Sequence, residues 1–170
     1  MTAVSPEVDP LALERQVCFA LAVTNRAVLA VYRPLLAPLG ITHPQYLVML
    51  ALWDHAKSGA DDTREALSVK QIAALLQTGS ATISPMLKRL ESLGLITRPR
   101  STADERTTHV TLTSRGAALR EQALSVPAAV VERLGVSLAE LENLHKVLTR
   151  VNTAALAAGA LDTEQSAQPV

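Results

Sequence analysis

Apolar residues recur at helical spacing along most of this chain, and the period changes once. An apolar run follows Asp9–Pro10, which read as N-cap and first position of a long helix ending at about Arg33, before Pro34. Thr42 with Gln45 three residues on forms a capping box, flanked by Ile41 and Tyr46 at the hydrophobic-staple positions, and starts a second helix over about 44–57. Ser68 with Gln71, stapled by Leu67 and Ile72, repeats the device for a short third helix ending near Gln77. Ser80 opens a fourth, which closes on Gly94. There the period drops to two. Leu95–Arg100 and Thr108–Thr113 alternate and are β-branched, predicting a hairpin with a long polar connection. Thr113 caps a fifth helix to about Leu134; Ser137 with Glu140, stapled by Val136 and Leu141, starts a sixth to about Ala158. Residues 159–170 read as a frayed, disordered tail. The fold class is mainly α with one small β-hairpin (α+β).

Composition narrows the function classes. The 170 residues fit one domain, and 16 Lys and Arg against 16 Asp and Glu leave no global field to announce a nucleic-acid or membrane partner. One cysteine excludes an internal disulfide and fits a reducing cytoplasm. The acidic opening MTAVSPEVDP does not read as a secretory signal. The longest helical runs are interrupted by Arg, Asn or Glu, so no membrane span is expected. Phe19, Tyr32, Tyr46 and Trp53 are the only Phe, Tyr and Trp residues, too few to stack single-stranded nucleic acid. The charged stretch from Lys57 to Leu67 reads as a surface insertion. His43, His55, His109 and His145 are scattered, with no short-spaced pair to hold zinc, and no cofactor motif is present.

A short helix, a tight turn at Thr78–Gly79, a second helix and then a hairpin form a winged helix-turn-helix. Its second helix suits the major groove of duplex DNA, and the hairpin can lie along the adjacent backbone and minor groove. Ser80, Thr82 and Ser84 place short hydroxyls on the first turns of that helix, followed by Lys88 and Arg89. From Lys88 to Arg106 five basic residues (Lys88, Arg89, Arg98, Arg100, Arg106) stand against three acids, a local excess of two in a neutral chain. Asp104, two residues before Arg106 at the hairpin tip, can hold that guanidinium toward a narrow minor groove. A solvated charged turn would carry the same residues; the helix pair beside it favours DNA.

The segment LSVKQIAALLQTGSATISPMLKRLESLGLITRPRSTADERTTHVTLTSRG resembles the DNA-binding core of the MarR superfamily of bacterial transcription regulators, above all in the D-x-R at the wing tip and the LT..G of Leu112, Thr113 and Gly116. The upstream QVCFAL…YRPLL…GIT.PQYLVMLALW is similar to the organic hydroperoxide resistance repressors. The resemblance covers about residues 13–156. It implies one MarR-like domain over 1–170, with a winged core at about 42–113 and dimerisation helices at about 10–38 and 114–158. It further implies a homodimer on a palindromic operator. The stripe Leu138, Leu141, Leu144, Leu148, Val151 suits that interface, although a helix folded back within one chain would use it too.

In those repressors a first-helix cysteine is oxidised by organic hydroperoxides, and it maps onto Cys18. The reaction requires a thiolate, and Cys18 is expected more than two turns inside its helix, too deep for the positive helix end to stabilise one. The family supplies tyrosine hydroxyls instead. One maps onto Tyr32, fourteen positions along the same helix. That is about 21 Å of rise, so Tyr32 can serve only the cysteine of an antiparallel partner. A second family tyrosine is His43 here, and a third is Ala22. As imidazolium, His43 would stabilise a thiolate and make sensing pH-dependent between about pH 6 and 7.5; alternatively it is a solvated first-turn residue. A family aspartate is replaced by Gly79. With no second cysteine, the sulfenic acid is expected to be captured by a small cellular thiol or overoxidised. Three other readings remain: a MarR-type repressor released by a phenolic or lipophilic ligand, with Cys18 merely packed; a one-cysteine peroxidase, for which the chain lacks a βαβ pattern; and a zinc sensor.

Overall fold

The computed structural model of the chain describes residues 9–58, 66–99 and 108–160. Its helices are α1 (Val17–Leu36), α2 (His43–Ser58), α3 (Val69–Leu75), α4 (Ser80–Ser92), α5 (Ser114–Ala123), α6 (Val126–Leu134) and α7 (Leu138–Ala157). Three short strands, β1 (Leu67–Ser68), β2 (Ile96–Thr97) and β3 (His109–Leu112), form one antiparallel sheet in the order β1-β3-β2. The core gathers around α2, α3 and α4, where Val48, Met49, Ile72, Ile83, Leu87 and Leu90 are fully buried. The winged helix-turn-helix expected from the sequence is present.

Two capping boxes form as read. Ser68 accepts from Gln71 N–H while Gln71 returns the bond, and Ser137 with Glu140 does the same at α7. Thr42 N–H donates to Gln45 Oε1 at 2.9 Å, with Ile41 and Tyr46 buried on either side. Thr113 caps α5, accepting from Gly116 N–H.

Four boundaries differ. The first helix starts at Val17, not at Pro10: Asp9 Oδ1 accepts from Leu11 N–H, which closes a local turn instead of a helix, and a 3-10 turn at Leu13–Arg15 follows. Leu11 and Leu13 are 83% and 61% exposed, so a longer helix would gain no packing in this chain. The same helix runs through Pro34 to Leu36, because burial of Leu36 outweighs the one backbone bond that proline removes. The expected fifth helix is two, α5 and α6. Pro127 cannot donate to the preceding turn, and the helix breaks at Leu124 and Ser125, which themselves stay right-handed. Finally, the hairpin has a third strand: β1 pairs Leu67 with Val110 and Ser68 with His109.

One helix has the length and apolar composition of a membrane span, properties it shares with helices that pack against protein. Val17–Leu39 is long enough, with a mean hydropathy of 1.2, and only 6% of it is buried. That apolar surface continues onto α7, which buries no residue; Leu138, Leu144, Leu148 and Val151 are 62, 46, 40 and 48% exposed.

Candidate functional site

The reading face is built from α4. Ile83, Leu87 and Leu90 bury one side of this helix, which leaves Ser80, Thr82, Lys88 and Arg89 on the exposed side. Gly79 is the N-cap and offers no side-chain bond, so the first N–H groups of α4 remain open to an acceptor such as a phosphate oxygen. The Ser84 hydroxyl donates to Ser80 O at 2.8 Å, folded back on its own helix. Pro85 stands at the sixth helical position, just past the first turn, and deprives the Ala81 carbonyl of its helical partner.

Arg98 is near the base of the wing but is not free. Its Nε and Nη2 both donate to Glu91 Oε2, at 2.9 and 2.5 Å, pinning β2 to the end of α4. A guanidinium held in this way braces the wing. Arg100, Asp104 and Arg106 lie outside the described residues. Across the wing Thr97 and Thr111 share a hydroxyl bond of 2.7 Å, and the His109 ring bonds Ala66 O at 2.8 Å.

The candidate sensor residues separate into two places on one chain. Cys18 is the second residue of α1 and is exposed, not more than two turns inside. That position is in the first turn, the end of the helix whose N–H groups lack helical partners. Tyr32, at the other end of the same helix, meets His43 edge-on with centroids 4.9 Å apart, and Tyr46 at 6.1 Å. Tyr46 in turn meets Trp53 at 6.4 Å. Tyr46, at 3% exposure, was read from sequence only as a helix staple, and its place in this cluster was missed.

Burial sets the protonation of the cluster. It raises the Tyr32 phenol above its ordinary value, so the proton stays available for donation. Tyr46 is raised by burial and then by Tyr32. His43 is half-buried, not solvated, and burial lowers it below 6.5. That direction favours the neutral ring and moves its titration to lower pH, against the imidazolium expected between about pH 6 and 7.5. Among the described residues no group of His, Cys, Asp and Glu could hold a metal ion.

A helix pair with an exposed, hydroxyl-rich second helix and a sheet-backed wing defines a winged-helix transcription regulator. The family model for the transcriptional regulator SarA/Rot matches residues 30–122. The organic hydroperoxide resistance transcriptional regulator of Bacillus subtilis (strain 168) is 41% identical over 145 residues, covering 85% of this chain and 90% of that protein. Reduced AbfR bound to DNA superposes with a TM-score of 0.70 at 29% identity, over 86% of this chain and 94% of that one. Overoxidised AbfR bound to DNA gives 0.64 at 30%, over 84% and 93%. The chain belongs to the MarR-type family of transcription regulators that contains the organic hydroperoxide resistance regulator. These relatives are DNA-binding regulators, not enzymes.

Proposed function

We propose that this chain is a homodimeric repressor in the cytoplasm that binds a palindromic operator and lets go when an organic hydroperoxide oxidises Cys18. The observation that carries the reading is the separation of the two halves of the sensor along α1. Cys18 lies exposed in the first turn, and Tyr32 with His43 lies fourteen positions further on, about 21 Å away. One chain cannot bring them together. Two chains with antiparallel α1 helices can, and the unpartnered apolar faces of α1 and α7 supply the surface for that pairing.

In that arrangement the Cys18 thiolate attacks the distal oxygen of the peroxide. An S–O bond forms as the O–O bond breaks, and the alcohol leaves with a proton, for which Tyr32 and neutral His43 are the nearest donors. The sulfenic acid then accepts attack by a small cellular thiol, which forms a disulfide and releases water. AbfR is found on DNA both reduced and overoxidised. Overoxidation is thus compatible with DNA in that relative, and here the bulkier mixed disulfide is assigned as the releasing species. Ser80, Thr82, Lys88 and Arg89 contact the operator directly, with Arg98 bracing the wing; Ser84, Arg100, Asp104 and Arg106 complete the assignment as sequence-based contacts.

One observation favours a second reading. An apolar cavity of about 580 Å³ lies between α1, α6 and α7, bordered by Leu21, Val28, Tyr32, Val130 and Leu144. A lipophilic ligand there would release DNA with Cys18 as a bystander. Titration of the operator at one fixed salt concentration separates the two, with and without stoichiometric organic hydroperoxide plus a small thiol. Release of wild type but not of Cys18→Ser supports the thiol sensor; equal behaviour of both proteins refutes it.

A further inference from the structure

A line of contacts runs from the candidate sensor to the reading helix. Tyr32 meets Tyr46, and Tyr46 meets Trp53 edge-on with centroids 6.4 Å apart. The indole then leaves the aromatic cluster: Trp53 Nε1 donates to Gly116 O at 2.9 Å, a buried hydrogen bond that joins α2 to the first turn of α5. Gly116 is pressed against Leu95, for a Cβ built on it would lie 1.9 Å from Leu95 O. Leu95 in turn accepts from Thr113 N–H at 3.0 Å and donates to Leu90 O, the last buried residue of α4, at 3.1 Å. Backbone meets backbone at this junction, with no flexible side chain to absorb a displacement.

We propose that Trp53 is a positioning residue that carries the redox state of the sensor to α4 and the wing. This rests on the thiol-sensor reading given above. When Tyr32 and His43 rearrange around the modified Cys18 of the partner subunit, the contacting Tyr46 and Trp53 rings, 3% and 4% exposed, shift together toward the cavity of about 240 Å³ that both border beside Asp54 and Pro127. The indole then either drags Gly116 with it or leaves a buried carbonyl unpaired. In both cases the first turn of α5 moves against Leu95, and the end of the reading helix moves with it.

The experiment uses the full-length dimer. Trp53 is the only tryptophan, so the ¹⁵N-labelled protein shows one indole N–H signal. That signal is expected to shift when cumene hydroperoxide and a small thiol are added to wild type, and to stay put in Cys18→Ser. Trp53→Phe keeps an aromatic ring but lacks the N–H. Its operator affinity when reduced is expected to stay measurable, while the ratio of oxidised to reduced Kd falls at least fivefold below that of wild type. Tyr46→Leu, which interrupts the ring contacts and leaves the indole bond, is expected to lower the ratio in the same way. A purely structural Trp53 would weaken both states equally and leave the ratio alone. An unmoved indole signal in a wild type that does release DNA overturns the proposal, as does an unchanged ratio in both variants. A wild type that does not respond to peroxide overturns the thiol-sensor reading first, and the proposal with it.

Discussion

Replacing Gly116 with alanine tests the junction between α5 and the reading helix. At an open helical position this change would stabilise by about 1 kcal/mol through reduced backbone entropy. Here the new Cβ meets Leu95 O at 1.9 Å, Leu95 C at 2.9 Å and Leu112 Cδ2 at 3.3 Å. Two of these are backbone atoms of a residue that is 3% exposed and hydrogen-bonded on both sides, so no rotamer change relieves them. Overpacking of this kind costs about 1–3 kcal/mol or more. Displacing Gly116 also strains the Trp53 bond and the Thr113 N–H bond to Leu95, each worth about 1 kcal/mol. The net loss is about 2–5 kcal/mol, or a Tm lowered by roughly 4–20 °C for a chain of this size. Calorimetry at matched protein concentration measures it, with the wild type as reference. A Tm equal to or above that of wild type would show that α5 and Leu95 do not meet as described, and would remove the physical basis for coupling through Trp53.

Other substitutions address the remaining parts. Lys88→Ala and Arg89→Ala are each expected to reduce the salt slope of operator binding by about one, whereas Arg98→Ala, whose guanidinium is held by Glu91, reduces it by less; three equal slopes would contradict that distinction. Leu144→Asp with Leu148→Asp puts two charges on the exposed α7 stripe, and sedimentation should show a monomer for the variant and the proposed dimer for wild type. Because burial lowers His43, the unfolded chain binds more protons than the folded one between the depressed value and 6.5. Stability from His43 is therefore complete above pH 6.5 and declines as the pH falls through that window; urea unfolding at pH 7.5 and 5.5 should show this loss diminished in His43→Phe.

Local signals in the sequence were reliable where a side chain closes on its own backbone. The Ser68–Gln71 and Ser137–Glu140 boxes set their helix starts, and Gly94, at φ 70°, marks where α4 gives way to β2. They misled where a competing local bond was available: Asp9 satisfies Leu11 N–H in a turn, so the same cap residue that predicts a helix ends up outside one. Pro34 and Pro127 misled in opposite directions, the first lying inside a helix read as ending before it and the second just after a break in a helix read as continuous. β1 was hidden because two residues carry no period, and Ser68 was already accounted for as a cap.

The site was legible in part. Cys18, Tyr32 and His43 were assigned through the resemblance to the hydroperoxide repressors, and of these Tyr32 and His43 are in ring contact. The depth of Cys18 in its helix was wrong because the helix start was wrong. Long-range bonds left no trace along the chain: nothing in the sequence joins Trp53 to Gly116, sixty-three positions away, or commits Arg98 to Glu91.

A mixed dimer tests the shared sensor most directly. One subunit carries Cys18→Ser, and the other keeps Cys18 but carries Tyr32→Phe with His43→Phe. Each homodimer lacks a complete site, while the mixed dimer holds one, formed by the surviving Cys18 and the Tyr32 and His43 of the opposite chain. The rate of Cys18 oxidation by an organic hydroperoxide, followed by mass, should return to near the wild-type rate per intact site in the mixed dimer and stay slow in the Tyr32→Phe, His43→Phe homodimer. Equally slow oxidation in both would contradict a sensor shared between subunits.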